Sequence, residues 1–310
     1  MLFRSVVVSE EHADTVRTQV DGLPVENIIL EPGPRGTAPC IGLAASVLRD
    51  RDPAATMAVC PADHVISDAA GFRQAISAAA QIAQDDYLVT LGITPDLPHV
   101  GYGYIQRGAS LGEVLGTPAF RVKRFTEKPD AVTAQHFVDS LEYYWNGGIF
   151  IWRAGTILAA VKDLLPLLHA ELQLVAGAWH SPARMEVLSA AWDRVPRTTI
   201  DYGIMERATR VAVVPVDMGW DDVGNWATLS AMVEGDEEGN AVHGGGHPLL
   251  LETADTYVYT TAGRLVATVG LEGFIVVDTP DALLICPKDR AQDVRDAVQR
   301  LKEDRLEEYL

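Results

Sequence analysis

Residues 27–48 read NIILEPGPRGTAPCIGLAASVL. Asn27 to Leu30 is a short β-branched apolar run, which predicts a buried strand. Pro32, Gly33, Pro34 and Gly36 then break the regular pattern, and from Thr37 to Leu48 the apolar residues return at helical spacing. The segment therefore reads as strand, loop, helix, and its neighbours repeat the motif. On the N-terminal side Ser5 to Val8 is predicted as a strand and Glu10 to Val20 as a helix. On the C-terminal side follow a strand at Thr56 to Cys60, a helix at Asp68 to Ala83 and a strand at Tyr87 to Leu91. Continuous apolar strands joined by helical crossovers predict a parallel sheet buried on both faces. In such sheets ligands sit beyond the carboxyl ends of the strands, so the loops after Leu30 and Cys60 are the first candidates for a site.

Farther along, the pattern changes. Strands are predicted at Tyr104 to Arg107, Phe120 to Phe125 and Gly148 to Trp152, with one helix near Ala131 to Leu141. A helical region spans Gly155 to Ala191 with a break at Pro166. A strand at Thr209 to Val216 and a helix at Asn225 to Val233 follow, and the acidic, glycine-containing stretch Glu234 to Gly246 reads as a linker. Closely spaced strands at Leu249 to Leu251, Thr256 to Tyr259, Leu265 to Val269, Phe274 to Val277 and Ala282 to Ile285 predict a small all-β unit. An amphipathic helix is predicted from Arg290 to Tyr309. The expected division is 1–233, 234–289 and 290–310.

Composition narrows the functional classes. The 310 residues carry 25 Lys and Arg against 43 Asp and Glu, a net charge of −18, with 48% hydrophobic residues. That is the composition of a globular protein with a large core, and its acidity argues against nonspecific binding to nucleic acid or an anionic membrane. A phosphate ligand would need local basic groups or a metal. The odd, widely spaced Cys40, Cys60 and Cys286 suit neither a disulfide framework nor a structural zinc site. A cytoplasmic protein is expected, without a signal segment or membrane span.

Several segments carry candidate chemistry. In Glu31-Pro-Gly-Pro-Arg-Gly-Thr37, glycines admit close backbone approach, Arg35 offers a planar fork of donors, and Thr37 is placed to cap a helix whose N-terminus favours anions. A plain surface turn is the alternative reading. Asp63 in Pro61-Ala-Asp-His64 and Asp222 in Gly219-Trp-Asp-Asp222 are carboxylates suited to Mg²⁺, or else turn and helix caps. Glu127 and Lys128, in Phe125-Thr-Glu-Lys-Pro129, pair an acceptor for hydroxyls with an ammonium for a phosphate; a surface ion pair is the plainer account. Asn146, before Gly147 and Gly148, either bonds hydroxyls or turns the chain into a strand.

Taken in order, these segments resemble the mannose-1-phosphate guanylyltransferases of the sugar-nucleotidyltransferase family. The resembling stretches are Glu31 to Pro39, Pro61 to His64, Gly101 to Ile105 (G-Y-G-Y-I), Phe125 to Pro129, Trp145 to Phe150, Ile200 to Glu206 (I-D-Y-x-x-M-E) and Gly219 to Trp226. The tail from Val276 to Lys288 is similar to the family's C-terminal β-helical region. The resemblance implies an α/β fold: a Rossmann-like, GT-A-like mixed sheet with helices on both faces, followed by a small β-helix-like unit. It implies GTP and mannose 1-phosphate as substrates, GDP-mannose and pyrophosphate as products, Mg²⁺ as cofactor, and a homodimer as one possible assembly. Asp63 and Asp222 would hold the metal; with Lys128 they would form the catalytic set. Glu127, Lys128, Asn146, Gly147 and Gly103 would bind the sugar phosphate, and Arg35, Thr37, Asp63 and Gly101 the nucleotide. Two departures stand out. Gly36 occupies a position where the family has Asn, and the family's G-G-x-G-T-R-L-x-P-L-S-R phosphate loop has no counterpart, as though about two βα units, on the order of 60 residues, were absent before the first strand. A noncatalytic sugar-phosphate-binding homologue and a transferase for another sugar 1-phosphate are the competing readings.

Overall fold

The structure is a computed structural model that describes residues 4–261 and 263–309. It divides into two compact units, one of residues 1–62 and 66–220, the other of residues 63–65 and 221–310.

In the first unit, β1 (Val6–Ser9), α1 (Ala13–Gln19), β2 (Ile28–Glu31), α2 (Thr37–Arg51) and β3 (Thr56–Val59) follow the predicted alternation. After a two-residue strand, β4 (Val65–Ile66), come α3 (Ala69–Ala83), β5 (Leu88–Ile93) and the long strands β6 (Tyr104–Val114) and β7 (Thr117–Thr126). The helix α4 (Ala131–Ser140) leads to β8 (Tyr143–Arg153). Three helices, α5 (Ala154–Leu164), α6 (Pro166–Ala178) and α7 (Arg184–Arg194), precede β9 (Val211–Val216) and the two-residue β10 (Trp220–Asp221). Pro166 opens α6, where its missing N–H would be unsatisfied in any residue. Asp68 and Asp130 cap α3 and α4, each accepting backbone N–H groups of the first turn.

The strand pairing bears out the mixed sheet that the resemblance implies and corrects the parallel sheet expected from the strand–helix alternation alone. β1 and β2 pair in parallel, but only with each other. The main sheet has the order β3-β8-β5-β9-β7-β6 and is mixed. Its single parallel pair is β5 with β9, while β8 runs antiparallel to both β3 and β5. The reason is β8, which inserts between two strands that sequence alternation alone would have made neighbours. β5 is buried along its whole length, whereas β3, at the sheet edge, exposes two of its four residues.

Alternate residues of the sheet feed two separate cores, which puts helices on both faces. Leu88, Phe150, Trp152 and Val213 pack with Leu43, Ile157, Leu168 and Leu172 of α2, α5 and α6. Val89, Leu91, Ile151 and Val214 pack with Ala79, Ile82 and Phe137 of α3 and α4. Fully burying one such aliphatic or aromatic side chain contributes about 1.5–3 kcal/mol before chain entropy is counted, so the two cores hold the sheet rigid beneath its loops.

In the second unit α8 (Trp226–Ala231) packs through Trp226 and Leu229 against Ala241, Tyr257, Ile275 and Val277 of the tail, so the compact division falls before this helix. The predicted linker contains a strand, β11 (Ala241–Gly244), which corrects that reading: three of its four residues are exposed, but it pairs along its length with β13 (Tyr257–Thr260). β13 pairs in parallel with β15 (Phe274–Asp278), and β12 (His247–Leu251) pairs in parallel with β14 (Leu265–Val269). The chain thus returns to the same level after 16 or 18 residues, in the manner of a β-helix. β16 (Leu283–Pro287) closes the first of these sheets antiparallel, and the helix α9 (Val294–Glu303) follows. Among the described residues, no helix is long and apolar enough to cross a membrane.

Candidate active site

The mixed sheet builds one polar cluster inside the first unit. Where β8 passes β5, the three residues from Thr90 to Gly92 face the five from Asn146 to Phe150, a bulge that Gly148 accommodates at φ +65°. Trp145 to Phe150 therefore lies wholly within a strand, rather than forming a turn into one. The bulge leaves Asn146 held on every side. Its amide nitrogen donates to Asp201 Oδ1 (2.9 Å), and its oxygen accepts from Thr90 Oγ1 (3.3 Å) and the Gly148 N–H (3.2 Å). Its backbone N–H donates to the Gly103 carbonyl (2.8 Å).

Glu127 directly follows β7, beside this asparagine. Its side chain is only 11% exposed, so it is no surface ion pair, and its Oε2 is buried without a hydrogen-bond partner. Gly103 makes room for it: a Cβ there would overlap Glu127 Oε2 and lie 3.2 Å from Asn146 Cβ. Lys128 Nζ stands 3.3 Å from Glu127 Oε1, on a residue whose φ of +47° turns the chain away from the strand. The Glu127 N–H donates to Glu206 Oε1 at 3.0 Å. Burial, reinforced by the charge of Asp201 and opposed by Lys128, pushes the Glu127 carboxyl above the usual glutamate range. Burial also raises Asp201, against the hydrogen bonds it accepts. One ammonium, one amide and three carboxyls thus meet here, and Glu127 presents a desolvated oxygen with nothing bound to it.

Gly101 lies in the loop that enters this cluster. Its N–H donates to His99 Nδ1 (3.1 Å), and His99 stacks on Tyr102 at 3.9 Å. Tyr102 meets the edges of Trp145 and Trp220, so aromatic rings fix the loop.

The Arg35 loop takes a different form from the one expected. Thr37 does not cap α2; Gly36 occupies the cap position, and the Thr37 hydroxyl accepts the N–H of Ile200 at 2.8 Å. Thr198 straps the loop from both sides, donating its N–H to Arg35 O (3.0 Å) and accepting from the Ala38 N–H (3.3 Å). Trp192 Nε1 bonds Gly33 O at 2.7 Å, and the Arg35 guanidinium lies 3.8 Å from Asp193. Gly36, with φ +88° and ψ 174°, sits in a region that only glycine adopts readily, and a Cβ would overlap the Thr198 carbonyl oxygen. A glycine at this position is therefore built into the backbone. At the base of the loop, Glu31 Oε2 is buried and unpartnered, burial raises its carboxyl, and burial together with Glu31 pushes the Cys40 thiol up to about 12.

The segment from Thr198 to Glu206 connects these parts, and sequence reasoning assigned it no role. Thr198 and Ile200 grip the Arg35 loop, Asp201 grips Asn146, and Glu206 grips Glu127. Residues Asp201–Met205 form a π-helical turn, an element often found at functional sites. Its only sequence signal was the I-D-Y-x-x-M-E stretch.

Asp63, His64, Asp221 and Asp222 lie together in the second unit. His64 is lowered by burial and raised in turn by the charges of Asp63, Asp222 and Asp221. Asp222 does not cap α8: Asn225 does, accepting from the Ala227 and Thr228 N–H groups, while Asp222 Oδ1 accepts from the Gly224 N–H at 3.1 Å. Asp63 is 80% exposed. Among the described residues, no three His, Cys, Asp or Glu side chains are grouped to hold a metal ion by themselves.

Comparison with known proteins follows this geometry. Residues 3–239 match the nucleotidyl transferase family, and residues 246–301 match the MannoseP isomerase/GMP-like β-helix domain. Mannose-1-phosphate guanylyltransferase of Escherichia coli (strain K12) is 41% identical over 309 residues, which are 98% of this chain and 64% of that protein. The xanthan biosynthesis protein XanB of Xanthomonas campestris pv. campestris (strain B100) is 41% identical over 96% of this chain and 62% of its own length. The chain thus spans a little under two thirds of the curated relatives it matches. A crystal structure described as mannose-1-phosphate geranyltransferase from Thermus thermophilus superposes with a TM-score of 0.80 at 33% identity, covering 96% of this chain and 83% of that one. The chain belongs to the nucleotidyl transferase family and carries, later in its sequence, a segment of the MannoseP isomerase/GMP-like β-helix domain.

Proposed function

We propose that the protein transfers GMP from GTP to α-D-mannose 1-phosphate, giving GDP-mannose and pyrophosphate. A phosphate oxygen of the sugar phosphate forms a bond to the α-phosphorus of GTP, and the bond from that phosphorus to the β-phosphate bridging oxygen breaks. Pyrophosphate leaves, and no covalent enzyme intermediate is required. The protein's part is positioning and charge neutralisation.

The observation that carries the reading is the buried, unpartnered Oε2 of Glu127 beside the Lys128 ammonium and the Asn146 amide. A desolvated carboxylate oxygen is a strong acceptor for a sugar hydroxyl, and an ammonium 3.3 Å from its other oxygen suits the phosphate of the same molecule. Gly103 keeps a side chain out of this space, whereas a Cβ on Gly147 would pack on Ile93 instead, so Gly147 contributes through its backbone alone. The Arg35 and Thr37 loop, with Gly101, forms the nucleotide side of the reading. Kinship with proteins named mannose-1-phosphate guanylyltransferase supports the choice of substrates.

Mg²⁺ is read as the cofactor. The reading assigns it to Asp63 and Asp222, whose charges both act on His64: Mg²⁺ typically takes one or two protein carboxylates and completes its shell with water and substrate phosphate, so a group of three ligands is not required. Bound there, the ion would neutralise phosphate charge. A cytoplasmic setting accords with the free thiols Cys40, Cys60 and Cys286. Mass spectrometry of the reaction mixture tests the proposal. GDP-mannose appearing in equal amount with pyrophosphate is expected; a different nucleotide sugar, or none from a folded chain, would overturn it.

A further inference from the structure

Asn146 has a limited capacity for hydrogen bonds, and the fold has already used most of it. The amide oxygen accepts from the Gly148 N–H and faces Thr90 Oγ1 at 3.3 Å, whose one proton also has the Leu91 carbonyl at 3.3 Å, so the oxygen is enclosed by two neighbours of the fold. One amide hydrogen goes to Asp201 Oδ1, which leaves a single N–H for a ligand. Flipping the amide would set its oxygen against the Asp201 carboxylate and its NH₂ against the Gly148 N–H, so both neighbours favour the same orientation. Asp201 in turn is held by the π-helical turn whose far end, Glu206, accepts the Glu127 N–H.

From this geometry we infer that Asp201 is a positioning residue for the sugar site, acting through Asn146 to present a donor-only amide opposite the acceptor-only Glu127. The inference rests on the reading of this cluster as the sugar-phosphate site. It specifies the ligand's chemistry: two neighbouring hydroxyls, one accepting from Asn146 and the other donating to Glu127 Oε2. Asp201 itself touches no substrate, and its effect is confined to the sugar side.

The test is titration calorimetry of mannose 1-phosphate and, separately, of GTP with the full chain and with Asp201→Ala and Asp201→Asn, with circular dichroism confirming the fold. Asp201→Ala is expected to weaken mannose 1-phosphate binding about ten- to a hundredfold, the scale of leaving a buried amide donor unpaired, with GTP affinity changed less than about twofold. Asp201→Asn keeps a carbonyl oxygen able to accept from Asn146, and so should recover most of the loss. A purely structural role would lower both affinities together and would show no rescue. Wild-type binding that survives Asp201→Ala overturns this proposal alone, as does an Asp201→Asn variant as weak as Asp201→Ala. Wild-type protein that binds no mannose 1-phosphate overturns the reading of the site, and the proposal with it.

Discussion

Gly36→Ala tests whether the Arg35 loop is held as described. Gly36 has φ +88° and ψ 174°, a conformation costing a residue with a side chain about 1–3 kcal/mol. The added Cβ would also overlap the Thr198 carbonyl oxygen and lie 2.9 Å from its carbon, and backbone cannot swing aside as a flexible side chain can. Moving Thr198 breaks its two hydrogen bonds to Arg35 and Ala38, each contributing about 1 kcal/mol. Together these give about 3–5 kcal/mol. At about 2–4 °C per kcal/mol for a domain of 150–250 residues, the melting temperature should fall by about 6–20 °C. Scanning calorimetry reads the fall directly, and Gly36→Asn, the residue that the resemblance leads one to expect here, should behave alike. Because Thr198 leads directly into Asp201, the variant should also weaken both GTP and mannose 1-phosphate binding. A melting temperature within about 2 °C of wild type for both variants would refute the argument.

Three further outcomes are expected. Asp222→Asn should abolish Mg²⁺-dependent turnover with circular dichroism unchanged, and turnover retained at saturating Mg²⁺ would remove Asp222 from the metal site. Burial, with mutual repulsion for Glu127, raises Glu127 and Asp201 above their ordinary values of 4.5 and 3.8, so their ionised forms oppose folding at neutral pH and stability is regained as pH falls through the folded values. Over that same fall the acceptor is lost, so calorimetry should show mannose 1-phosphate affinity dropping at a pH above that of an ordinary glutamate, and Glu127→Gln should flatten the profile. Cys40, pushed up to about 12, should resist iodoacetamide at pH 8 while the exposed Cys60 reacts first, as peptide mass mapping would record.

The parts of the fold set by local pattern could be read from the residues. Asn27 to Leu30 and Tyr87 to Leu91 are strands to within a residue or two, and Pro166 does divide two helices. Pairing was not legible, because β8 reaches its place between β3 and β5 by contacts far apart in sequence. The same holds for β11, whose four residues sit in an acidic, glycine-containing stretch that reads as a linker until β13 lies beside it. At the site, Glu127, Lys128 and Asn146 stood out by type and order. Asp201 did not, because it acts on Asn146 across 55 positions of chain, and a lone Asp in a helical segment carries no mark of its partner. Thr37 misled for a related reason: its hydroxyl had a helix to cap, but the N–H of Ile200 took it instead.

The most direct test of the central claim is the initial rate of pyrophosphate release by the purified chain with Mg²⁺, in every pairing of GTP, ATP and UTP with mannose 1-phosphate and glucose 1-phosphate. Release confined to GTP with mannose 1-phosphate, and lost in Glu127→Ala, is the predicted result. Equal release with glucose 1-phosphate or another nucleotide, or no release from a folded chain that binds both substrates, would contradict the account.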